Sequence, residues 1–364
     1  RVTLGKGRFR IPRTGTIGIC CEAMHPVADP ARAIFRRHDI AISVRGGDDT
    51  LSIALDDNQK PGGYRLKITT DGVRLDAYSI EAAFHGVQTL LQAARQSPTG
   101  TLPVMTINDW PDFAERGVYY DVCRGRVPRM ERLFELGETL AHYKINQLQL
   151  YQEHTFQFRR HPLIGKGASP LSPEDVMQLD RHCSANCVEL VPSLASFGHM
   201  ARILTLEPYR DLAEDWGVGK YLAPDADVPR RLRGWTLSPA NPDVYDFLRS
   251  LWEEFLPCFS SERFNVCCDE TWDLGLGQSY ELCRKKGRGR VYLDHIRKLN
   301  DLGHEFDRQV MFWGDIILKY PELIPEIPED VTVLDWGYHH DKDFGTVKHF
   351  ANAGLDFYAC PGTS

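Results

Sequence analysis

Two adjacent acids, Asp269 and Glu270, are the residues of this sequence best suited by type and position to do chemistry. They end the short apolar segment 264–268, and Trp272 with a glycine-rich turn follows them directly. Two carboxylates forced together repel each other, so we expect their charge to be used. In an α/β barrel, the carboxyl end of a strand is where catalytic residues lie. The alternative is an acidic helix N-terminus, where Asp and Glu complement the helix dipole.

The bulk composition excludes two classes of partner. The 364 residues include 43 Lys and Arg against 50 Asp and Glu, a formal net charge of −7, and no basic block occurs. A nucleic-acid surface needs clustered positive charge to neutralise phosphates, so we expect no nucleic-acid partner. No apolar run approaches the roughly 20 residues that span a bilayer, so we expect no membrane partner either. A small-molecule or glycan substrate remains, and the sequence leaves the oligomeric state open.

The cysteines and histidines favour reduced thiols without a metal. Ten cysteines occur without the regular spacing of a disulfide framework, which favours a cytoplasmic location. Because the sequence starts at Arg1 rather than Met, a mature secreted form is the alternative. His182, Cys183 and Cys187 are the nearest approach to a metal cluster, but they fall within a predicted helix without a second ligand pair. We therefore expect no metal.

The first part of the chain is predicted to be a small α+β domain covering residues 1–107. Alternating apolar residues predict strands at 49–55, 64–68 and 73–77, and Asp71-Gly72 is a hairpin turn signal between the last two. Apolar residues at helical spacing predict a helix over 80–96, which the segment 97–100 ends. No catalytic constellation occurs in this domain.

From about Asn108 the pattern changes to strand, loop and helix in repetition, which predicts a parallel sheet covered by helices. Helix starts are marked by Pro128, Ser172-Pro173 and Asn241-Pro242. The candidate strands are 117–122, 145–150, 188–192, 264–268, 310–313, 331–336 and 355–359. We therefore predict an α/β fold, a (β/α)8 TIM-type barrel over residues 108–364. Such a barrel needs eight strands, so either one strand is overlooked or the last βα unit is missing, and we favour the second.

Charged and aromatic residues concentrate just past the predicted strands. The candidates, in chain order, are Asp121, Arg124, Glu153, His154, His199, Asp269, Glu270, Trp272, Trp313 and Trp336. Each has a structural alternative: Arg124 as a surface ion-pair partner, His199 as a buried histidine, and the tryptophans as core aromatics. Together they describe a sugar pocket, since aromatic faces pack on a pyranose and charged groups bind its hydroxyls. Metal-assisted hydrolysis is the rival chemistry for such a barrel.

In these segments the chain resembles the family-20 glycoside hydrolases, the β-N-acetylhexosaminidases. The resemblance covers nearly the full length, and its motifs run in the family's order. They are Gly63-Tyr64-Arg65-Leu66, Phe84-His85-Gly86-Val87, Asn108-Asp109-Trp110-Pro111, Tyr143-Lys144-Ile145-Asn146, Phe197-Gly198-His199 and the pair Asp269-Glu270. The family usually has His-x-Gly-Gly where this chain has Asn265-Val266-Cys267-Cys268, and an Asp-rich loop where it has Glu153 and His154. The chain is thus similar to a divergent subgroup.

The resemblance implies removal of a terminal β-linked N-acetylhexosamine with retention of configuration. Glu270 would be the acid/base, and Asp269 would orient the 2-acetamido group of the substrate, whose oxygen attacks the anomeric carbon. We expect apolar walls and the neighbouring carboxylate to raise the pKa of Glu270. No metal or organic cofactor is implied.

The remaining candidates are expected to bind or enclose the sugar. Arg124 and His199 would bind ring hydroxyls or support the acid pair, and Trp313 and Trp336 would wall the acetamide and the sugar. Asp121 would hold Arg124. The alternative function is a non-catalytic N-acetylhexosamine-binding protein with an incomplete barrel.

Overall fold

The computed structural model describes residues 1–35, 40–44, 49–97, 100–215, 234–340 and 343–362. Pro98 and Thr99, which belong to the predicted helix stop, lie outside the described residues. The chain divides into two compact units. One comprises Arg1–Val118, Glu131–Gln147 and Arg181–Glu189, and the other comprises Tyr119–Met130, Leu148–Asp180 and Leu190–Ser364. A single boundary between residues 107 and 108 stays a prediction.

A mixed seven-stranded sheet forms the N-terminal part. Its strands are β1 (Val2–Arg10), β2 (Gly15–Ile19), β3 (Ile40–Val44), β4 (Leu51–Leu55), β5 (Tyr64–Ile68), β6 (Val73–Ala77) and β7 (Thr101–Asp109), in the spatial order β1-β7-β5-β6-β4-β2-β3. The three predicted strands correspond to β4, β5 and β6. The antiparallel pairing of Ile68 with Val73 closes the predicted hairpin at Asp71-Gly72. Strands β1, β2, β3 and β7 were not predicted.

Two helices accompany this sheet, α1 (His25–Ala31) and α2 (Ile80–Arg95). Helix α2 begins where the Ser79 hydroxyl accepts a hydrogen bond from the Ala82 amide, a standard N-cap. Its apolar residues at helical spacing, among them Ala83, Val87 and Leu90, are buried. The predicted helix 80–96 is therefore confirmed to within one residue.

The second sheet carries seven strands in unbroken chain order. They are β8 (Gly117–Asp121), β9 (Gln147–Gln152), β10 (Glu189–Leu194), β11 (Arg263–Asn265), β12 (Gln309–Trp313), β13 (Thr332–Gly337) and β14 (Phe357–Pro361). From β10 to β14 each strand pairs in parallel with the next. All seven predicted strands are present, and the described residues contain no eighth. Sequential parallel strands separated by helices are the topology of a TIM-type barrel.

Seven helices lie between the strands of this sheet in the described part of the sequence. They are α3 (Met130–His142), α4 (Pro173–Ala185), α5 (Ala201–Leu204), α6 (Asp243–Phe255), α7 (Tyr280–Lys286), α8 (Arg288–His304) and α9 (Val347–Asn352). Helix α4 starts at the predicted proline, and the side chains of Ser172 and Asp175 each accept a hydrogen bond from the other's amide. Across the described ranges, we find no helix with the length and apolar character to cross a bilayer.

Candidate active site

The acid pair lies on a loop that leaves β11 earlier than expected. The strand ends at Asn265 rather than Cys268, because Cys267 and Cys268 have φ of 62° and 69°, outside strand geometry. Glu270 also has a positive φ, 48°. The predicted strand 264–268 was therefore wrong at its carboxyl end. Non-glycine residues in this region are strained and persist only where their surroundings hold them.

Several hydrogen bonds fix that strained backbone. The Cys267 amide donates to the Asn265 side chain at 2.9 Å, and its carbonyl accepts from the Trp313 amide at 2.8 Å. The Tyr292 hydroxyl donates to the Cys268 carbonyl at 3.0 Å. The direction of the acid pair is thus set by the neighbouring strand β12 and helix α8 as well as by β11.

His199 joins the two acids. Its Nε2 lies 3.1 Å from Asp269 Oδ2 and 3.4 Å from Glu270 Oε2, and its side chain is 4 % exposed. The backbone of the preceding Gly198 passes so close to the acid loop that a Cβ there would lie 2.2 Å from the Asp269 carbonyl oxygen. Only glycine fits at this position, and the approach places His199 against both carboxylates.

The three charged groups determine one another's ionisation. Burial would lower the pKa of His199, but contacts with Asp269 and Glu270 outweigh it and raise the pKa to about 9. The resulting imidazolium lowers the pKa of Glu270 against the effect of burial, and Trp272 and Arg124 act in the same direction. The expected increase in the pKa of Glu270 was wrong, because the neighbouring cation outweighs the neighbouring carboxylate. In the free protein Glu270 is therefore a carboxylate.

Glu153 and His154 lie behind His199. Glu153 Oε1 accepts a hydrogen bond from the Tyr151 hydroxyl at 2.9 Å and lies 4.0 Å from His199 Nδ1. Burial raises the pKa of Glu153. His154 Nδ1 lies 3.9 Å from Glu153 Oε2, and burial lowers the pKa of His154, which keeps it neutral. Glu153 thus lies between the two histidines, next to His199, while His154 lies near Glu153.

Asp121 fixes Arg124 at the end of β8. One Asp121 oxygen accepts from the amides of Cys123 and Arg124, at 2.9 and 3.0 Å. The other lies 2.5 Å from Arg124 Nε. The guanidinium lies over the Tyr151 ring, 5.0 Å from its centroid, and the side chain is about half exposed. Arg124 is thus held in place while its nitrogens stay accessible, and its charge reaches Glu270.

The three candidate tryptophans occupy different positions. Trp313 is nearly buried and packs edge-on against Tyr119, with ring centroids 4.9 Å apart. The Trp336 ring lies 5.0 Å from that of Tyr338, and its Nε1 has no hydrogen-bond partner among the described residues. Trp272 is 45 % exposed, its amide donates to the Glu270 carbonyl at 2.8 Å, and its side chain helps to lower the pKa of Glu270.

Trp313 and Trp336 pack against tyrosines whose pKa values respond to the charges of the acid pair. Burial raises the pKa of Tyr119, and the charge of Asp269 adds to that increase. Burial likewise raises the pKa of Tyr338, with contributions from Asp269 and Glu270. Trp313 and Trp336 thus pack on tyrosines that are affected by the charge of the acid pair, whereas the Trp272 amide donates directly to the Glu270 carbonyl.

Two residues of the site were missed in the sequence. Trp235 Nε1 donates to the Glu270 carbonyl at 2.7 Å, and its ring lies 4.4 Å from that of His199. Asp315 Oδ2 accepts from the Glu270 amide at 3.1 Å, and burial, with the charge of Asp269, raises the pKa of Asp315 to about 7. Asp315 follows the Trp313-Gly314 segment at a strand end, which was a usable signal. Trp235 follows no predicted strand, so the sequence held no comparable signal for it.

Two carboxylate oxygens in the site, Asp269 Oδ1 and Asp315 Oδ1, are buried without a hydrogen-bond partner among the described residues. Asp269 Oδ1 is buried and accepts no hydrogen bond from the described residues, whereas Oδ2 faces His199. A buried carboxylate oxygen without a donor is costly, so this atom is suited to a donor that a ligand brings. Over the described stretches of the chain, no group of three or more His, Cys, Asp or Glu side chains is arranged to hold a metal ion.

Parallel strands that carry paired carboxylates and indoles at their ends are typical of carbohydrate-active barrels. The chain belongs to glycosyl hydrolase family 20. Residues 1–110 match the family model described as glycosyl hydrolase family 20, domain 2, and residues 113–364 match the catalytic domain of the same family.

Relatives and solved structures agree with this assignment. A beta-hexosaminidase from Porphyromonas gingivalis is 22 % identical over 410 residues, covering 100 % of this chain and 49 % of the relative. The beta-hexosaminidase subunit beta of Rattus norvegicus is 23 % identical over 284 residues, covering 72 % and 50 %. The chain thus spans about half the length of these curated relatives.

The structural match concerns the fold. The crystal structure of a beta-N-acetylhexosaminidase from Bacteroides fragilis superposes with a TM-score of 0.81 at 16 % identity, covering 99 % of this chain and 73 % of that chain. A family-20 exo-beta-N-acetylglucosaminidase from Vibrio harveyi, in complex with N-acetylglucosamine, gives 0.79 at 16 % identity, covering 98 % and 58 %. The TIM-type barrel preceded by a smaller domain is thereby confirmed.

Proposed function

We propose that this protein hydrolyses terminal β-linked N-acetylhexosamine with retention of configuration, using the substrate's own acetamide as nucleophile. The observation that carries the proposal is the shared contact of Asp269 and Glu270 with one imidazole nitrogen, which leaves Asp269 Oδ1 buried without a donor among the described residues. The names of the relatives and the N-acetylglucosamine bound in the Vibrio harveyi structure support the choice of sugar.

The side-by-side arrangement disfavours the conventional retaining mechanism. That mechanism places an acid and a nucleophilic carboxylate about 5 Å apart on opposite sides of the scissile bond. Asp269 and Glu270 are neighbours in sequence and both face His199 Nε2, so they approach a bound sugar from the same side. The nucleophile must therefore come from elsewhere, and the 2-acetamido oxygen is correctly placed within the substrate itself.

The reaction then divides between the two acids. Glu270 gives its proton to the glycosidic oxygen as the bond to the anomeric carbon breaks, and the acetamido oxygen forms the new bond to that carbon. The product of this step is a bicyclic oxazolinium ion and a free alcohol. Glu270, now a carboxylate, takes a proton from water as the water attacks the anomeric carbon and reopens the ring. Asp269 accepts the acetamido N–H at Oδ1 and stabilises the positive charge that develops there.

The protonation state of Glu270 sets a requirement for this chemistry. The imidazolium of His199 keeps Glu270 ionised in the free protein, whereas the acid step needs it protonated. A bound sugar removes water from the carboxylate, which raises the pKa of Glu270 and favours uptake of the proton. Sugar binding and proton uptake are therefore coupled in this account, and the intramolecular nucleophile avoids the entropic cost of recruiting a separate one.

The other residues bind or enclose the sugar in this account. Arg124, held by Asp121, offers its half-exposed guanidinium to ring hydroxyls. Trp313 and Trp336, with the tyrosines against which they pack, wall the acetamide and the sugar. Glu153 and His154 hold His199 in position.

The direct test compares the wild-type protein with Glu270→Gln on an aryl β-N-acetylglucosaminide. General acid–base catalysis contributes about 10²–10⁴ in rate, so the variant should lose activity by a factor in that range. The loss should be smaller for an aryl leaving group of low pKa, which departs without a proton. Equal turnover by variant and wild type would remove Glu270 from this role. Binding of N-acetylhexosamine without turnover by the wild type would make the protein a binding module instead.

A further inference from the structure

The exposed indole of Trp272 lies on the side of the site that the leaving group must occupy. A backbone hydrogen bond of 2.8 Å from the Trp272 amide to the Glu270 carbonyl turns the chain back on itself. The Trp272 side chain is one of the groups that lower the pKa of the Glu270 carboxylate, so it lies beside that carboxylate. Because Glu270 must reach the glycosidic oxygen, a group beside that carboxylate borders the departing alcohol. With 45 % of the side chain exposed, Trp272 offers an aromatic surface at this point.

Two cations flank Trp272. The ammonium of Lys319 lies over the indole, 4.7 Å from the ring centroid. The guanidinium of Arg288 donates to the carbonyls of Thr271 and Trp272. Within the described part of the chain, neither side chain forms an ion pair with a carboxylate; Lys319 acts on Asp315 only through its charge. Both side chains are exposed, so their charges face solvent beside the indole.

These two features together define a ligand chemistry. The face of an indole packs on the apolar face of a pyranose, and a neighbouring ammonium group favours an anionic substituent on that pyranose. We infer that Trp272, Lys319 and Arg288 form a subsite for the leaving group of the reaction, and that the preferred leaving group is a pyranose bearing a carboxylate or a sulfate. The inference rests on the proposed function and adds the substrate class to it.

The test compares the hydrolysis of four substrates by the wild-type protein at low ionic strength. They are an aryl β-N-acetylglucosaminide, a disaccharide with N-acetylglucosamine β-linked to a neutral hexose, and matched disaccharides in which that hexose is a uronate or carries a sulfate. The anionic disaccharides should exceed the neutral one in kcat/KM by about fivefold, the upper end for a solvent-exposed ion pair. The preference should fall as salt rises toward about 1 M, where charges are screened within a few ångströms.

Variants of Lys319 test whether this subsite causes the preference for anionic disaccharides. In Lys319→Gln the ratio of kcat/KM for anionic over neutral disaccharide should fall toward one, and in Lys319→Glu it should drop below one. The matched control is Lys348→Gln, an exposed lysine on α9, which should keep the wild-type ratio. The uronate and sulfate arms separate the two sources of negative charge.

The outcomes distinguish failure of the inference from failure of the proposed function. Hydrolysis of the aryl substrate with no preference between anionic and neutral disaccharides overturns the inference while leaving the proposed function intact. A preference that Lys319→Glu leaves unchanged also overturns it. If none of the four substrates is hydrolysed, the proposed function is overturned, and the inference with it.

Discussion

The imidazole of His199 lies 3.1 Å from the carboxylate of Asp269, across the gap between the loops that follow β10 and β11. This contact turns one carboxylate oxygen of Asp269 toward a cation and leaves the other buried without a donor among the described residues. The same imidazole nitrogen also contacts Glu270. One histidine therefore contacts both acids and lowers the pKa of Glu270, the acid/base of the proposed mechanism.

Removing the negative charge of Asp269 tests its proposed role in binding the acetamide. Asp269→Asn keeps the shape but loses the negative charge that stabilises the oxazolinium ion, so kcat should fall by about 10²–10³. Affinity for a thiazoline mimic of that ion should fall with it. The matched measurement is affinity for N-acetylglucosamine itself, which should fall less because the ground state carries no charge. Unchanged thiazoline binding by Asp269→Asn would assign the orienting role to another group.

Replacing His199 tests the origin of the low pKa of Glu270. The protonated imidazole favours the Glu270 carboxylate, so His199→Asn should raise the pKa of Glu270. Because the acid step needs protonated Glu270, the alkaline limb of the kcat/KM profile should move to higher pH. The overall rate should also fall, so the position of the limb is the measurement. His161→Asn is the control, since burial lowers the pKa of His161 and its ring contacts Tyr209 and Ser250, which lie outside the site. A limb that stays in place in His199→Asn contradicts the assignment.

The close approach of Gly198 to the acid loop makes a steric prediction. In Gly198→Ala the new Cβ would lie 2.2 Å from the Asp269 carbonyl oxygen, so the loop must shift. Activity should fall by at least about tenfold, because small displacements of catalytic groups are costly. Gly137→Ala in helix α3 is the control, since its Cβ would meet Cys183 Sγ at an ordinary 3.4 Å. Alanine also favours helix, so that variant should be as stable as wild type or more stable. Full activity of Gly198→Ala would show that the acid loop tolerates the shift.

The sequence was sufficient for the barrel strands and the acid pair because both are local signals. Buried parallel strands appear as apolar runs, and Asp269-Glu270 follows one of them directly. Strand β1, which was missed, carries no such local signal. Nearly all of its residues are exposed, so it lacks the alternation of apolar and polar residues that marks a half-buried strand. Strand β7 was missed as well, although Leu102, Met105 and Ile107 are buried in it.

The electrostatics of the site depended on contacts between distant segments. The direction of the pKa shift at Glu270 follows from its distance to His199, 71 positions earlier in the chain, which no local pattern contains. Trp235 likewise reaches Glu270 through a hydrogen bond across 35 positions. Their positions at strand ends predicted that His199, Asp269 and Glu270 lie close together. The direction in which the pKa of Glu270 shifts could be read only from the folded chain.

The most direct test of the central claim varies the nucleophile within the substrate. Aryl glycosides in which the acetamide carries zero, one, two or three fluorines differ in the nucleophilicity of the carbonyl oxygen and little in size. If that oxygen attacks the anomeric carbon, log kcat/KM should fall steeply and in order with each added fluorine, since the amide bears positive charge in the transition state. Rates that stay constant across the series would show that a group on the protein, rather than the sugar's amide, forms the bond to the anomeric carbon.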